Sequence, residues 1–399
     1  MRTPLYLSHF TAASCLGAGQ AATLAALQAG RSGLAPCDFD DVSLATFTGK
    51  VEGVDDILLP QHLSAYDCRN NRLAQLGLDR DGFAAAVRAA ADRLGAARIG
   101  VFLGTSTSGI YETEVAYRHR DPATGALPPD LVYRGSHNPY SLSAYVREAL
   151  GLQGPAVSVS TACSSSGKVF NSAWRMIEAG LIDAAVVGGV DSLCLTTLYG
   201  FNSLDVLSNA PCRPFDAARN GISIGEGAAF ALLQRLPADV PAGALLLRGV
   251  GESSDAHHMS APHPEGAGAR MAMAQALEMA GAEAGDVDYV NLHGTATPAN
   301  DAAEGKALAA VFGERGVPCS STKGATGHAL GAAGGLEAVI SALSLQHGMA
   351  WAGVNTDDLD ATIPVDYVLE NRPQPTRLVL SNSFGFGGTN CSVLLGRAA

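Results

Sequence analysis

The sequence predicts an α/β chain made of two similar halves, with mainly parallel, helix-covered sheets. Short apolar runs of strand character alternate with segments of helical period along nearly all 399 residues, the pattern of βα units. Each half also runs strand, helix, strand, small-residue loop, and then a strand that enters a helix through a Ser/Thr/Cys turn. These turns are Ser160-Thr-Ala-Cys163 and Ser320-Ser-Thr-Lys323, and such self-similarity points to a duplicated lobe. Length agrees, because single cores stop growing at roughly 250–300 residues. The expected halves are 1–240 and 241–399.

Composition narrows the function classes. Charged residues make up 16% and the net charge is −12, which argues against nucleic acid or an acidic membrane as the main partner. The eight cysteines (15, 37, 68, 163, 194, 212, 319, 391) contain no Cys-x-x-Cys pair. Neither a zinc framework nor a thioredoxin motif is encoded, and reduced thiols in a cytoplasmic protein are expected. The start, Met-Arg-Thr-Pro-Leu-Tyr-Leu-Ser-His, has no signal-peptide pattern, and no apolar run approaches the roughly 18 residues of a membrane span.

Taken in order, Leu5–Phe10 reads as a first strand and Gln20–Ala29 as a short helix closed by Gly30. A small basic cluster follows, Arg69 and Arg72 with Arg80 nearby. Gly82–Leu94 is an alanine-rich helix leading to the strand Ile99–Leu103 and the loop Gly104-Thr-Ser-Thr-Ser-Gly109. That loop lacks nucleotide-binding spacing, but its small side chains, Thr107 and Ser108 among them, suit a pocket wall. Residues 118–138 read as a surface excursion, Tyr140–Leu150 as a helix, and Ala184–Val190 as a strand. Pro211–Gly227 reads as a Gly/Pro-rich connection. In the second half the expected elements are a strand at Ala244–Val250, a helix at Ala269–Ala280, and a strand at Val287–Leu292 ending in His293-Gly-Thr-Ala-Thr297. A helix carrying Asp301 and Glu304 follows, then a strand near Val317–Cys319 and a long small-residue helix from His328 to about His347. The last strands, Leu378–Ser381 and Cys391–Leu395, bracket Asn382–Asn390.

Chemistry gathers at strand ends. Val157 and Val159 alternate with serines as in a strand, whereas Val169, Phe170, Ala173, Trp174 and Ile177 have helical spacing. Cys163 is thus expected in the first helical turn, where unpaired N–H groups and the helix dipole lower a thiol's pKa and favour a nucleophile. His293 and His328 each sit among glycines and threonines at a strand–helix junction. A histidine at a helix start is kept neutral and able to donate one N–H, so a pair could stabilise a developing enolate. Phe384-Gly-Phe-Gly-Gly388 offers a flexible backbone N–H and bulky rings. The three histidines of Asp255-Ala-His-His-Met-Ser-Ala-Pro-His263 fit no standard zinc spacing, and no metal is expected.

The segments Thr161-Ala-Cys-Ser-Ser165, His293-Gly-Thr-Ala-Thr297, Ser321-Thr-Lys-Gly-Ala-Thr-Gly-His328 and Asn382-Ser-Phe-Gly-Phe-Gly-Gly-Thr-Asn390 resemble, in order and spacing, the four signatures of elongating β-ketoacyl-[acyl carrier protein] synthases. The resemblance covers essentially the whole chain. It implies a thiolase-like fold with five layers, αβαβα, and a homodimer or a heterodimer with a chain-length-factor-like subunit. It implies condensation of an acyl chain with malonyl-[acyl carrier protein], in fatty-acid or aryl-polyene/polyketide elongation, with acyl carrier protein as partner and no cofactor. Cys163 would accept the acyl group, and His293 and His328 would hold the malonyl carbonyl. Lys323 would order the His328 side, with Asp301, Glu304 and Glu337 as supporting carboxylates. The N–H groups of Cys163 and Phe386 would form the oxyanion hole, with Phe386 and Phe384 at the gate. Thr295 and Thr297 would bind the pantetheine arm, and Thr107 and Ser108 would lie near the acyl pocket.

Two points temper the carry-over. Ala296 stands where the family often has glycine or serine, and the Arg69–Arg72 cluster lies where relatives meet the acidic carrier protein. Two other readings stand beside the synthase. A non-catalytic chain-length subunit would lack the nucleophile, and a thiolase or priming synthase would use a second cysteine or a Cys-His-Asn set.

Overall fold

Neighbouring residues on a strand face opposite sides of its sheet, and this alternation decides the layering. The computed structural model describes residues 2–313 and 316–398. Ten strands of the main sheet carry the architecture: β1 (Leu5–Ser14), β2 (Ile99–Gly104), β3 (Ala156–Val159), β4 (Ala184–Asp191), β5 (Gly227–Arg235), β6 (Leu245–Ser254), β7 (Tyr289–Asn291), β8 (Pro318–Ser320), β9 (Leu378–Gly385) and β10 (Thr389–Arg397). The first five lie in the order β3-β2-β4-β5-β1 and the second five in the matching order β8-β7-β9-β10-β6. The duplication is one of topology. β1 and β6 pair at Leu5–Leu247 and Tyr6–Leu246, which joins the two sets.

The longer helices are α1 (Gln20–Gln28), α2 (Arg69–Leu78), α3 (Phe83–Leu94), α4 (Ile110–Arg118), α5 (Tyr140–Ala149), α6 (Ser165–Glu178), α7 (Leu195–Ser203), α8 (Ala267–Ala280), α9 (Pro298–Phe312) and α10 (Ala333–His347). On one face of the first sheet, Val101, Leu103 and Val186 meet Leu73, Phe83 and Leu142 from the outer helices α2, α3 and α5. On the other face, Phe102 and Val187 meet Phe170 and Trp174 of α6 and Leu336 and Ile340 of α10, and the same cluster takes in Tyr289, Val379 and Val393 of the second sheet. Val290, Leu380 and Leu394 look outward to Met273 of α8 and Leu308 of α9. The layers are therefore αβαβα, with α6 and α10 in the middle.

The expectation of mainly parallel sheets is corrected. β3-β2-β4 and β8-β7-β9 are parallel, but β5 is antiparallel to β4 and β1, and β10 to β9 and β6. β9 returns into β10 across only Phe386–Gly388, too short for a crossover helix. β5 lay hidden in the sequence because Gly-Ala-Ala-Phe-Ala-Leu-Leu-Gln-Arg holds no β-branched residue; burial overrides its weak propensity. The helix expected from His328 starts at Ala333, because Leu330 takes a left-handed backbone at φ 49°.

Glycines set how closely the middle layer packs. A Cβ on Gly334 of α10 would lie 2.7 Å from Ser383 Oγ and 2.8 Å from the Gly167 nitrogen of α6, and one on Gly104 would overlap the Ser166 backbone. The two central helices touch through backbone, which brings their N-terminal ends together. Gly334→Ala should cost about 1–3 kcal/mol through overpacking, read as a lowered urea midpoint; an unchanged midpoint would show that the helices separate without penalty.

Candidate active site

Cys163 sits in the turn between β3 and α6, one residue before the helix cap Ser164. Ala162 holds a left-handed φ of 51°, a conformation that persists only when its surroundings over-determine it. The serines supply that determination. Ser165 Oγ donates to the Ala162 carbonyl at 2.5 Å and accepts the Thr161 N–H at 2.8 Å, while Ser164 Oγ and Thr389 Oγ1 both donate to the Thr161 carbonyl. The N–H of Gly335 in α10 reaches Ser166 Oγ at 2.8 Å, tying one central helix to the other.

This turn delivers Cys163 Sγ to 3.0 Å from His328 Nε2. The His293 ring stands nearly perpendicular to that of His328, with centroids 5.4 Å apart, and the ligating atoms of all three residues lie within 4.8 Å of one another. His293 follows β7, where its N–H and that of Gly294 donate to Glu304 at 2.9 and 2.8 Å, and Asn382 donates to the same carboxylate at 3.1 Å. The Lys323 ammonium pairs with Glu337, donates to the His293 carbonyl at 2.6 Å and stands 3.4 Å from His293 Nδ1. Lys323 therefore orders the His293 side, not the His328 side as expected. An ammonium only donates, so Nδ1 accepts and Nε2 carries the hydrogen.

Residues 78–238 match the β-ketoacyl synthase N-terminal domain and residues 245–357 the β-ketoacyl synthase C-terminal domain. The chain belongs to the β-ketoacyl synthase family. It is 34% identical over 396 residues to 3-oxoacyl-[acyl-carrier-protein] synthase 2 of Vibrio cholerae, spanning 93% of this chain and 94% of that one. Among solved structures, the synthase resembles a ketosynthase, ApeO, in complex with its chain length factor from Xenorhabdus doucetiae (TM-score 0.88, 37% identity, 99% and 98% of the chains covered). It also resembles the ishigamide ketosynthase/chain length factor (TM-score 0.88, 28% identity, both chains fully covered).

The synthase pocket that opens on Cys163 is lined by His293, His328, Thr295, Thr297, Phe384 and Phe386, together with Phe201, which the sequence did not single out. Thr295 and Thr297 share a 2.9 Å hydroxyl contact, and Phe384 stands edge-on to His293 at 5.8 Å. Phe386 lies 5.7 Å from Phe201, and its backbone N–H hydrogen-bonds Cys163. The Asp255–His263 loop clasps the neighbouring glycines, since Gly387 donates to the Met259 carbonyl at 2.7 Å and Asp255 to that of Gly388 at 2.8 Å. Asp301 sits apart, accepting the Phe215 N–H at 2.8 Å. Ala296 adopts φ 67°, which gives a physical reason for glycine there in relatives.

Four expected surface or pocket residues are corrected. Arg69 is only 3% exposed, because it forks onto the buried Glu226 at 2.6 and 3.0 Å and reaches Asp55 at 2.7 Å. It cannot present charge to a partner, and Arg72 is already engaged by Asp67 at 2.6 and 2.8 Å. Thr107 and Ser108 are buried away from the pocket that opens on Cys163. Thr107 donates to Asp191 and Ser108 to the Ser136 carbonyl. The sequence reading missed Asp191, a carboxylate closing an otherwise apolar buried strand.

The expected low thiol pKa is also overturned. Burial pushes Cys163 up to about 11, against the pull of the Lys323 charge and the Phe386 N–H. Both imidazoles fall well below their usual range, through burial first and Lys323 second. His328 is therefore neutral as expected but for another reason: it opens no helix and instead bridges Ile224, its N–H bonded to the Ser223 carbonyl and its carbonyl to the Gly225 N–H. Burial likewise raises Glu304 and Glu337 to about 7. Since only the thiolate alkylates, modification of Cys163 by iodoacetamide, followed by intact mass, should climb about tenfold per pH unit from neutral pH to about pH 10. A plateau at neutral pH would instead reveal a preformed thiolate–imidazolium pair.

Proposed function

We propose that the synthase condenses an acyl group held on Cys163 with malonyl-[acyl carrier protein], releasing carbon dioxide and 3-oxoacyl-[acyl carrier protein]. The observation that carries this reading is the 3.0 Å contact between Cys163 Sγ and His328 Nε2 beside a neutral His293. In the first half-reaction Sγ attacks the acyl thioester carbonyl and His328 Nε2 receives the thiol proton, which leaves with the carrier thiol. The N–H groups of Cys163 and Phe386 stabilise the tetrahedral oxyanion.

In the second half-reaction the malonyl thioester carbonyl lies between the two imidazoles. With the carrier gone, the hydrogen left on His328 Nδ1, unpartnered among the described residues, exchanges through water to Nε2. Loss of carbon dioxide then leaves an enolate, whose charge is met by the Nε2–H donors of both imidazoles and the nearby Lys323 ammonium rather than by a base. The enolate carbon attacks the acyl-Cys163 carbonyl, and the expelled Cys163 sulfur takes up a proton from solvent, the one proton that the overall reaction consumes. Thr295 and Thr297 suit the polar pantetheine arm, and Phe386, followed by Gly387 and Gly388 at φ 79° and 72°, suits a gate. No free cofactor enters this scheme.

A specialised aryl-polyene or polyketide role, with a chain-length-factor subunit as partner, is the finer reading. It is supported by the likeness to two ketosynthases described with chain length factors. β3 offers a place for such a partner: it ends the sheet, paired only with β2 among the described residues, and Val157 is 38% exposed. No helix among the described residues is long and apolar enough to cross a membrane, which suits a cytoplasmic site of action. The presence of Cys163 with both histidines speaks against a non-catalytic subunit, and the His293–Lys323 pairing against a Cys-His-Asn thiolase set.

With a panel of acyl carrier protein thioesters and malonyl carrier protein, mass spectrometry should show a Cys163 acyl adduct and chain elongation. Cys163→Ala should abolish both, and His328→Ala should lower condensation about 10²–10⁴-fold while leaving self-acylation measurable. Absence of any adduct on wild-type Cys163 would refute the synthase reading.

A further inference from the structure

Asp191, at the end of β4, is a fully buried carboxylate that no basic side chain pairs with among the described residues. Its Oδ1 accepts from Thr105 Oγ1 at 2.7 Å, from the N–H groups of Ser106 and Thr107 at 2.8 Å each, and from Thr107 Oγ1 at 2.8 Å. Its Oδ2 accepts the Gly331 N–H at 2.5 Å. The two threonine hydroxyls themselves accept backbone N–H groups, from Ser108 at 3.0 Å and Ser192 at 3.2 Å. Their own hydrogens are thereby free to point at the carboxylate. Five donors and no acceptor suit an ionised group.

The two loops that meet on this carboxylate are both strained and both lead to the reacting atoms. Ser108 in one and Leu330 in the other hold left-handed φ values of 45° and 49°, which survive only under external restraint. From the first loop, Ser106 Oγ reaches the carbonyl of Ala162, the residue before Cys163, at 3.4 Å. On the second, Gly331 follows His328 by three positions. A Cβ on Gly331 would lie 2.6 Å from Ser106 Oγ and 2.8 Å from Asp191 Oδ2, so the loops close on each other there.

We propose that Asp191 is a positioning residue whose carboxylate clamps the loop behind Cys163 to the loop after His328 and so sets the Cys163–His328 contact. This rests on the reading of that contact as the reacting pair. The two oxygens have separable tasks. In Asp191→Asn the amide oxygen stays with the four donors of the 105–107 loop, which turns the NH₂ group against the Gly331 N–H. Two donors then face each other, and the His328 loop is released while the other is kept. The substitution also deletes a charge near Cys163. The other charged or titratable groups around the thiol are His293 at the end of β7, Lys323 and His328 on the 321–328 loop, and behind them Glu304 of α9 and Glu337 of α10. Losing the Asp191 charge favours the thiolate.

The test compares wild type, Asp191→Asn and Gly331→Ala in the full chain with its co-expressed partner if one is required. Asp191→Asn should lose about 100-fold in condensation, the scale of a 1 Å misplacement, lose less in self-acylation, and shift the pH curve of Cys163 alkylation to lower pH. Gly331→Ala keeps the charge but wedges the loops, so it should lose condensation without that shift. Wild-type condensation by Asp191→Asn, or equal loss of both half-reactions with an unmoved pH curve, overturns the clamp. If Asp191→Asn does not fold, Gly331→Ala decides: wild-type condensation overturns the clamp and a selective loss upholds it. If the wild type itself neither acylates nor condenses, the synthase reading fails, while the alkylation curves still report on Asp191.

Discussion

The Lys323 ammonium lies out of reach of water, held by Glu337, the His293 carbonyl and His293 Nδ1. Burying a cation with its counter-ion yields little net stability, because desolvation offsets most of the attraction. What the pair does here is electrostatic control. It fixes the His293 tautomer through Nδ1, pushes both imidazoles toward their neutral forms and pulls the thiol down against the larger effect of burial. Glu304 adds a second anchor by gripping the backbone of His293 and Gly294. The side chains that meet substrate thus owe their orientation to a set of ionisable groups one step further in.

The same topology folded twice explains why so few residues suffice. Parallel strands of α/β sheets present their carboxyl ends as natural sites, and each half aims one such end at the middle layer. The first half gives Cys163 after β3, and the second gives His293 after β7 and Lys323 and His328 after β8. Neither half holds the set alone. Contact between them depends on the central helices meeting backbone to backbone at Gly167 and Gly334, since a side chain on Gly334 would push the β3 turn away from the His328 loop.

The short motifs made the convergent residues legible, because a few adjacent positions fix a turn and its chemistry together. Cys163, His293, Lys323, His328 and Phe386 come together from segments up to 223 residues apart, the span from Cys163 to Phe386. What stayed illegible depended on long-range contacts. Arg69 looks like surface charge in Cys-Arg-Asn-Asn-Arg until Glu226, 157 residues later, takes it inward. The hydroxyls of Thr105 and Thr107 suggested a pocket wall until Asp191 claimed them. The thiol's position beside a helix start was visible, but the depth of its burial was not, and depth outweighs the dipole. β5 was hidden because alanine and leucine carry no strand signal of their own.

A pocket in which the thiol is protonated and both imidazoles are neutral holds no strong base at neutral pH, and this suits the proposed chemistry. Decarboxylation needs no proton removed from carbon; it needs donors already in place where enolate charge appears, and neutral N–H groups beside a fixed cation supply them without paying to reorganise. Acylation asks the opposite, that a proton leave sulfur, and only His328 stands at 3.0 Å to take it. One histidine must therefore accept in the first half-reaction and donate in the second, so its distance from sulfur matters more than its basicity. Left-handed backbone at Ala162, Ala296 and Leu330, each next to or near one of the three reacting side chains, is the strain expected where geometry is held that tightly.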